Sequence, residues 1–221
     1  MGTKMKRIIS LLLAIICVFT LFSCGEDSPV TAFTKIVSSS EPTKIITLTS
    51  YNDGDNVLLG SYETQFYGSE FMMLYDYEAY QVPAPGANPD DYIAHRNGKI
   101  YYRDGLYSTD EGNTWNTGTP SESAMQVKFD LNAVELKDYN VSKDKKTLDV
   151  TVTAEEAEKI LGIEISATED GVQIQVVHDG KNLRQIRVSY ATENATLVSL
   201  ETSYSYSEVT SPFASDDATG E

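Results

Sequence analysis

Val172-Gln-Ile-Gln-Val-Val-His178, Ile186-Arg-Val-Ser-Tyr190 and Val198-Ser-Leu-Glu-Thr-Ser-Tyr-Ser-Tyr206 are the stretches whose reading decides the fold. In each, apolar and polar residues alternate with a period of two, which is the period at which successive side chains leave opposite faces of a strand. Val172, Ile174 and Val176 share one face, as do Ile186, Val188 and Tyr190. Val198, Leu200, Thr202, Tyr204 and Tyr206 share a face of the third stretch, with Ser199, Glu201, Ser203 and Ser205 opposite. Asp179-Gly180 and Glu193-Asn194 supply the turns, so the segment predicts an antiparallel meander with one wet face.

Upstream, Thr153-Ala-Glu-Glu156 is a capping box: the Thr153 hydroxyl can accept from the Glu156 amide while the Glu156 carboxylate reaches back. Ala154, Ala157, Ile160 and Leu161 fall on one helical stripe and Gly162 is placed to end it, so a short helix is expected here. A second is expected over Val30 to Ser38, where Ala32, Phe33, Ile36 and Val37 have helical spacing and Pro42 lies outside. Further strands are expected at Lys44 to Tyr51, where Ile46 and Leu48 alternate with Thr47 and Thr49, and at Asn56 to Tyr67 and Phe71 to Tyr80, with a turn at Gly68-Ser69. Asn97-Gly98, ahead of Lys99 to Arg103, is a hairpin dipeptide because both positions tolerate positive φ. Met125 to Leu131 and Thr147 to Val152 complete the set of strands. Pro83-Ala-Pro-Gly-Ala-Asn-Pro89 is expected to be a loop or lid, since proline removes ladder donors.

The N-terminus places Lys4, Lys6 and Arg7 before an apolar run from Ile8 to Phe22 and then Ser23-Cys24-Gly25, the order of an export signal. The run is shorter than the roughly twenty residues a membrane-spanning helix requires. Leu21-Phe22-Ser23-Cys24 resembles the lipobox of bacterial lipoproteins, departing from it at Phe22. The resemblance implies a signal peptide over 1–23, lipid on Cys24, and anchoring at the extracytoplasmic face of a membrane. Residues 24–30 then form a flexible tether, 31–206 a single domain, and 207–221 a disordered acidic tail. Cys17 lies in the apolar run, so no disulfide is expected. Net charge is −16, and loss of residues 1–23 with their three cations would take it to −19. Nucleic acid is an improbable partner for such a surface, because backbone binding requires clustered Lys and Arg.

Little in the sequence suggests catalysis, and an enzyme is not expected. His95 and His178 are the two imidazoles; both read as exposed strand-end residues, and there is no Gly-x-Ser-x-Gly elbow. No histidine or cysteine pair seeds a zinc site, and no cofactor or metal is expected. Asn52-Asp53-Gly54-Asp55-Asn56 and Asp110-Glu111-Gly112-Asn113 could hold calcium loosely but read better as tight turns. Trp115 reads as a loop anchor rather than a carbohydrate platform. The unusual feature is the aromatic content, fourteen Tyr, seven Phe and one Trp, concentrated around Phe71-Met-Met-Leu-Tyr-Asp-Tyr77. Tyr and Met on a sheet face can line an apolar cavity, although strand propensity alone accounts for many of them.

The order of elements resembles the LolA/LolB-like superfamily of lipoprotein carriers. The residues that carry the resemblance are the short helix before Pro42-Thr-Lys-Ile-Ile-Thr47, Glu70-Phe-Met-Met-Leu-Tyr75, Asn97-Gly-Lys-Ile-Tyr-Tyr102, Thr153 to Gly162 and Glu201-Thr-Ser-Tyr-Ser-Tyr206. The resemblance implies an α+β fold that is mostly antiparallel β, a curved half-barrel sheet covered by short helices on its concave side. It implies a lipid or other apolar ligand in the cavity between; no functional residue carries over with it, and the lining is expected to be drawn from Phe71, Met73, Tyr75 and Tyr77 or their opposite-face neighbours. The alternative expectation is a non-enzymatic protein-interaction module of an envelope complex.

Overall fold

The alternating stretches form one antiparallel sheet. The computed structural model describes residues 29–52, 56–81, 93–118, 129–193 and 197–212. The signal segment, Cys24, most of the tether, the proline-rich loop at 83–89, residues 53–55 of the first candidate calcium loop, and 213–221 of the tail lie outside these residues.

Its strands are β1 (Lys44–Asn52), β2 (Asn56–Tyr67), β3 (Glu70–Gln81), β4 (Ile93–Arg103), β5 (Leu106–Ser108), β6 (Asn116–Thr117), β7 (Tyr139–Val141), β8 (Thr147–Val152), β9 (Val172–His178), β10 (Leu183–Ala191) and β11 (Leu197–Ser205). They are ordered β6-β5-β4-β3-β2-β1-β11-β10-β9-β8-β7. Two meanders, one from each half of the chain, are thus joined where the first strand pairs with the last: Lys44 lies opposite Ser205 and Asn52 opposite Leu197. The edge strands β6 and β7 are two and three residues long, which leaves little unpaired backbone to recruit another chain.

Among the described residues two helices accompany the sheet, α1 (Pro29–Ser39) and α2 (Ala154–Leu161). Helix α2 has the capping box foreseen, and Gly162 ends it with φ 67°. Ala157, Ile160 and Leu161 of α2 and Phe33 of α1 bury with Leu148, Val150, Val172, Ile174, Val176, Ile186 and Val188 in one cluster. This core is centred on β8 to β10, with Val141 of β7 and Leu200 and Tyr204 of β11 packed against it. The expected half-barrel with helices over its concave side is therefore corrected: the sheet is open, eleven strands wide, and helix covers only part of one face. The reason is dimensional. A helix about 10 Å across covers about two strands at ~4.8 Å spacing, so helices of 11 and 8 residues shield about four.

Four local expectations also change. Asn97-Gly98 is no turn but mid-strand in β4, where Gly98 lies opposite Tyr75; a Cβ there would come within 2.6 Å of the Tyr75 Cζ. In β1 it is Thr47 that faces the covered side, 8% exposed, and its hydroxyl meets that of Thr202 at 3.2 Å. Leu48 is 48% exposed on the other face. Phe129 to Leu131 are not strand; a 3-10 turn runs from Leu131 to Ala133 and buries Leu131.

His178, expected at the surface, is 7% exposed. Phe33 of α1 meets its ring edge-on, centroids 4.6 Å apart, and its Nδ1 accepts a hydrogen bond from the Gly180 amide at 2.8 Å. The imidazole thereby fastens α1 to the end of β9. Burial lowers its pKa, against smaller opposing effects of a backbone hydrogen bond and Asp179.

Three outcomes follow. Leu148→Ala, at a fully buried position, should lower the urea-unfolding free energy by about 2–5 kcal/mol. Leu59→Ala, 41% exposed, should change it by within about 0.5 kcal/mol. Because His178 titrates lower when folded than when unfolded, the unfolded chain binds its proton first as pH falls. Stability should then decline as pH drops below the ordinary imidazole value of about 6.5. The stability gap between wild type and His178→Gln should narrow between pH 7.5 and 5.5; a constant gap would refute this role.

Candidate functional site

Phe71, Met73, Tyr75 and Tyr77 stand in one row of β3 on the face that, farther along the sheet, carries the helices. The structure brings them together, and each is occupied by its neighbours. Phe71 stacks on Tyr102 at 4.7 Å between centroids and lies 6.4 Å from Phe66. Met73 is 1% exposed and pairs with Ile100, which is fully buried. Tyr75 covers Gly98 and lies 6.5 Å from the Tyr77 ring. The Tyr77 hydroxyl accepts from Arg96 at 3.3 Å. These aromatics cover this part of the sheet where no helix reaches.

The opposite face is polar over β8 to β11. Gln175 donates to Asp149 at 2.8 Å, Arg187 to Glu201 at 2.9 Å, and Gln185 to Glu201 at 2.7 Å. These planar groups form a ladder across four strands. On one side of it an open groove of about 490 Å³ is lined by Asp149, Gln173, Gln175 and Arg187. On the other, a groove of about 460 Å³ crosses β11, β1, β2 and β3 and is lined by Leu48, Ser50, Leu59, Ser61, Asp76 and Glu78, among others. Small side chains create it: Ser199 and Ser50 are cross-strand neighbours, and so are Leu48 and Ser61. Leu48 and Leu59 rise from a floor of serines and remain 48% and 41% exposed.

This groove was missed from the sequence. Its signal was the adjacent pair Leu58-Leu59, since two consecutive apolar residues in a strand must leave opposite faces.

The histidines do not share a cleft. His95 is on the grooved face, its Nε2 2.6 Å from Asp76 Oδ1, and His178 is buried on the other. Ser61 of β2 lies opposite Asp76 of β3, so the carboxylate sits between hydroxyl and imidazole, with the serine and His95 strands ~10 Å apart. That order cannot pass a serine proton to the ring in the manner of a triad.

The loop after β5 uses its oxygens internally. Ser108 Oγ accepts from the Gly112 amide at 2.9 Å and donates to Asp110 at 2.7 Å, and the Thr114 amide donates to Asp110 at 2.8 Å. Hydrogen bonds from Thr114 and Ser108 hold the Asp110 carboxyl down at about 2. The turn expected at 110–113 is what forms, with Arg103 over the Trp115 ring at 5.1 Å. Among the described residues no group of three His, Cys, Asp or Glu could hold a metal, and no helix is long and apolar enough to cross a membrane.

No protein-family model and no curated protein matches the chain. Among solved structures, a hypothetical protein from Chlamydia trachomatis is similar with 7% identity and a TM-score of 0.30, over 80% of this chain and 94% of that one.

Proposed function

We propose that this chain is an exported, lipid-anchored, non-enzymatic binding module that meets a protein partner through the groove over β11, β1, β2 and β3. The observation that carries this reading is the exposure of Leu48 and Leu59 beside one another over a floor of serines in one groove. Grouped apolar exposure of this kind marks contact surfaces, whereas scattered single residues do not. The helix-covered space supports it from the other side: Phe33, Leu148, Ile160 and Ile174 are all at or below 2% exposure there. A carrier of an acyl chain, as the LolA/LolB-like resemblance implies, requires a void beside Phe71, Met73, Tyr75 and Tyr77, whereas Phe71 stacks on Tyr102, Met73 pairs with Ile100, and Tyr75 lies over Gly98 beside Tyr77.

Anchoring rests on the lipobox-like Leu21 to Cys24. Cys24→Ser should abolish metabolic labelling by a fatty-acid probe and move the protein from the membrane to the soluble fraction. Labelling that persists would remove the anchor from the proposal. A photoreactive residue at position 59, in the full-length protein in its own envelope, should yield one discrete protein adduct, lost when Leu48 is also changed to Glu. An adduct with lipid alone, or none, would overturn the binding reading.

A further inference from the structure

The electrostatics of the groove narrow its partner, given the binding reading above. Its two leucines have carboxylates beside them on β3, Asp76 in the strand position opposite Ser61 and Glu78 in the position opposite Leu59. Elsewhere on this face Lys44 pairs with Glu63 at 3.7 Å and Arg103 with Glu70 at 3.8 Å, while His95, the cross-strand neighbour of Glu78, is hydrogen-bonded to Asp76 at 2.6 Å. Glu78 is exposed and has neither an ion pair nor a hydrogen bond among the described residues. A carboxylate without a counter-ion at the lip of an apolar groove favours a cation on whatever covers it.

The wider charge points the same way. A second copy of this chain would bring its own −16 and a second set of carboxylates to the contact, and an anionic lipid surface would be repelled as well. The groove spans four strands, about 14 Å, the length of about four extended residues. In an extended segment alternate side chains point the same way, so one set can lie between the leucines over Ser50 and Ser61, while the long stem of a Lys or Arg in the other set bends back to the rim.

We propose that the occupant of the groove is an extended protein segment alternating apolar residues with Lys or Arg, with a cation set against Glu78. The serines leave room for its apolar side chains, and the leucines remove them from water.

The test uses the full-length protein in neutral detergent with three labelled octapeptide probes, alternating Leu/Lys, Leu/Glu and Ser/Lys, followed by fluorescence anisotropy. The Leu/Lys probe should bind at least tenfold tighter than either of the others. Its affinity should fall at least tenfold in Glu78→Lys and again in Leu59→Glu, which adds negative charge while removing the apolar wall. Both positions are exposed, so unchanged circular dichroism would certify folding. Equal binding of the Leu/Lys and Leu/Glu probes, or indifference to Glu78→Lys, would overturn the cationic partner while the position-59 adduct still stood. Undiminished Leu/Lys binding in Leu59→Glu would overturn it too, as adsorption to an acidic surface. Loss of both the adduct and all probe binding would remove the groove reading itself.

Discussion

Everything in this sheet depends on the seam between β1 and β11. The strands that meet there are separated by almost the whole described chain, and their pairing turns two meanders into one surface. Nine residue pairs hold it, from Lys44 with Ser205 to Asn52 with Leu197. Hydrogen bonds beyond the strands extend it: the Thr43 amide donates to Ser205 O at 2.9 Å, and the Thr43 hydroxyl to Ser207 O at 2.5 Å. At its centre, on the covered side, the Thr47 and Thr202 hydroxyls meet at 3.2 Å, so each buried oxygen has a hydrogen-bond partner. Tyr204 beside them is buried deeply enough that its phenol pKa is pushed up. Ordering such distant strands has to precede most of the stabilisation it brings, a feature of slowly folding β topologies.

On either side of the seam the covered face is filled by different means. Over β8 to β10 the two helices and the 3-10 turn supply the apolar cover, with His178 and Phe33 joining α1 to the sheet. Over β2 to β4 the sheet covers itself: Phe71 lies on Tyr102, Tyr75 on Gly98, and the Tyr62 ring beside Gly60. Glycine in a strand interior is destabilising by itself, and a flat aromatic laid across it recovers the lost contact. The Tyr-rich segment thus covers a part of the sheet that neither described helix reaches.

What could be read from the sequence was local. The capping box at Thr153, the stop at Gly162, helix α1 and the alternation in β9 to β11 each depend on residues within one or two turns, and the structure has them as expected. What failed depended on partners far along the chain. Asn97-Gly98 has the chemistry of a hairpin, yet Tyr75, over twenty residues earlier, occupies the space a side chain would need. His178 has the look of a strand end, and Phe33 covers it. Thr47 faces inward because Thr202 is opposite. Helix coverage was overestimated because a resemblance in element order carries no information about how wide the sheet is. The groove escaped notice for a related reason: serines at 50, 61 and 199 fall together only once β11, β1 and β2 are aligned.

The grooved face shows how the remaining free energy is arranged. Burying apolar surface is worth about 25 cal/mol per Å², so two leucines held in water beside serines forgo stabilisation that the covered face obtains at the equivalent positions. The neighbouring polar side chains do not share this state: the Asp149, Gln175, Arg187 and Glu201 ladder is closed on itself, and a self-satisfied network has little to offer a partner without first breaking a bond. Leu48, Leu59 and Glu78 keep unspent interactions, and they lie together in the middle of the sheet, held by the seam rather than by a loop. A site on rigid strands keeps its geometry when empty, so a partner meeting it bears most of the ordering cost itself. That asymmetry suits an extended segment, which has the entropy to lose and the backbone period to match.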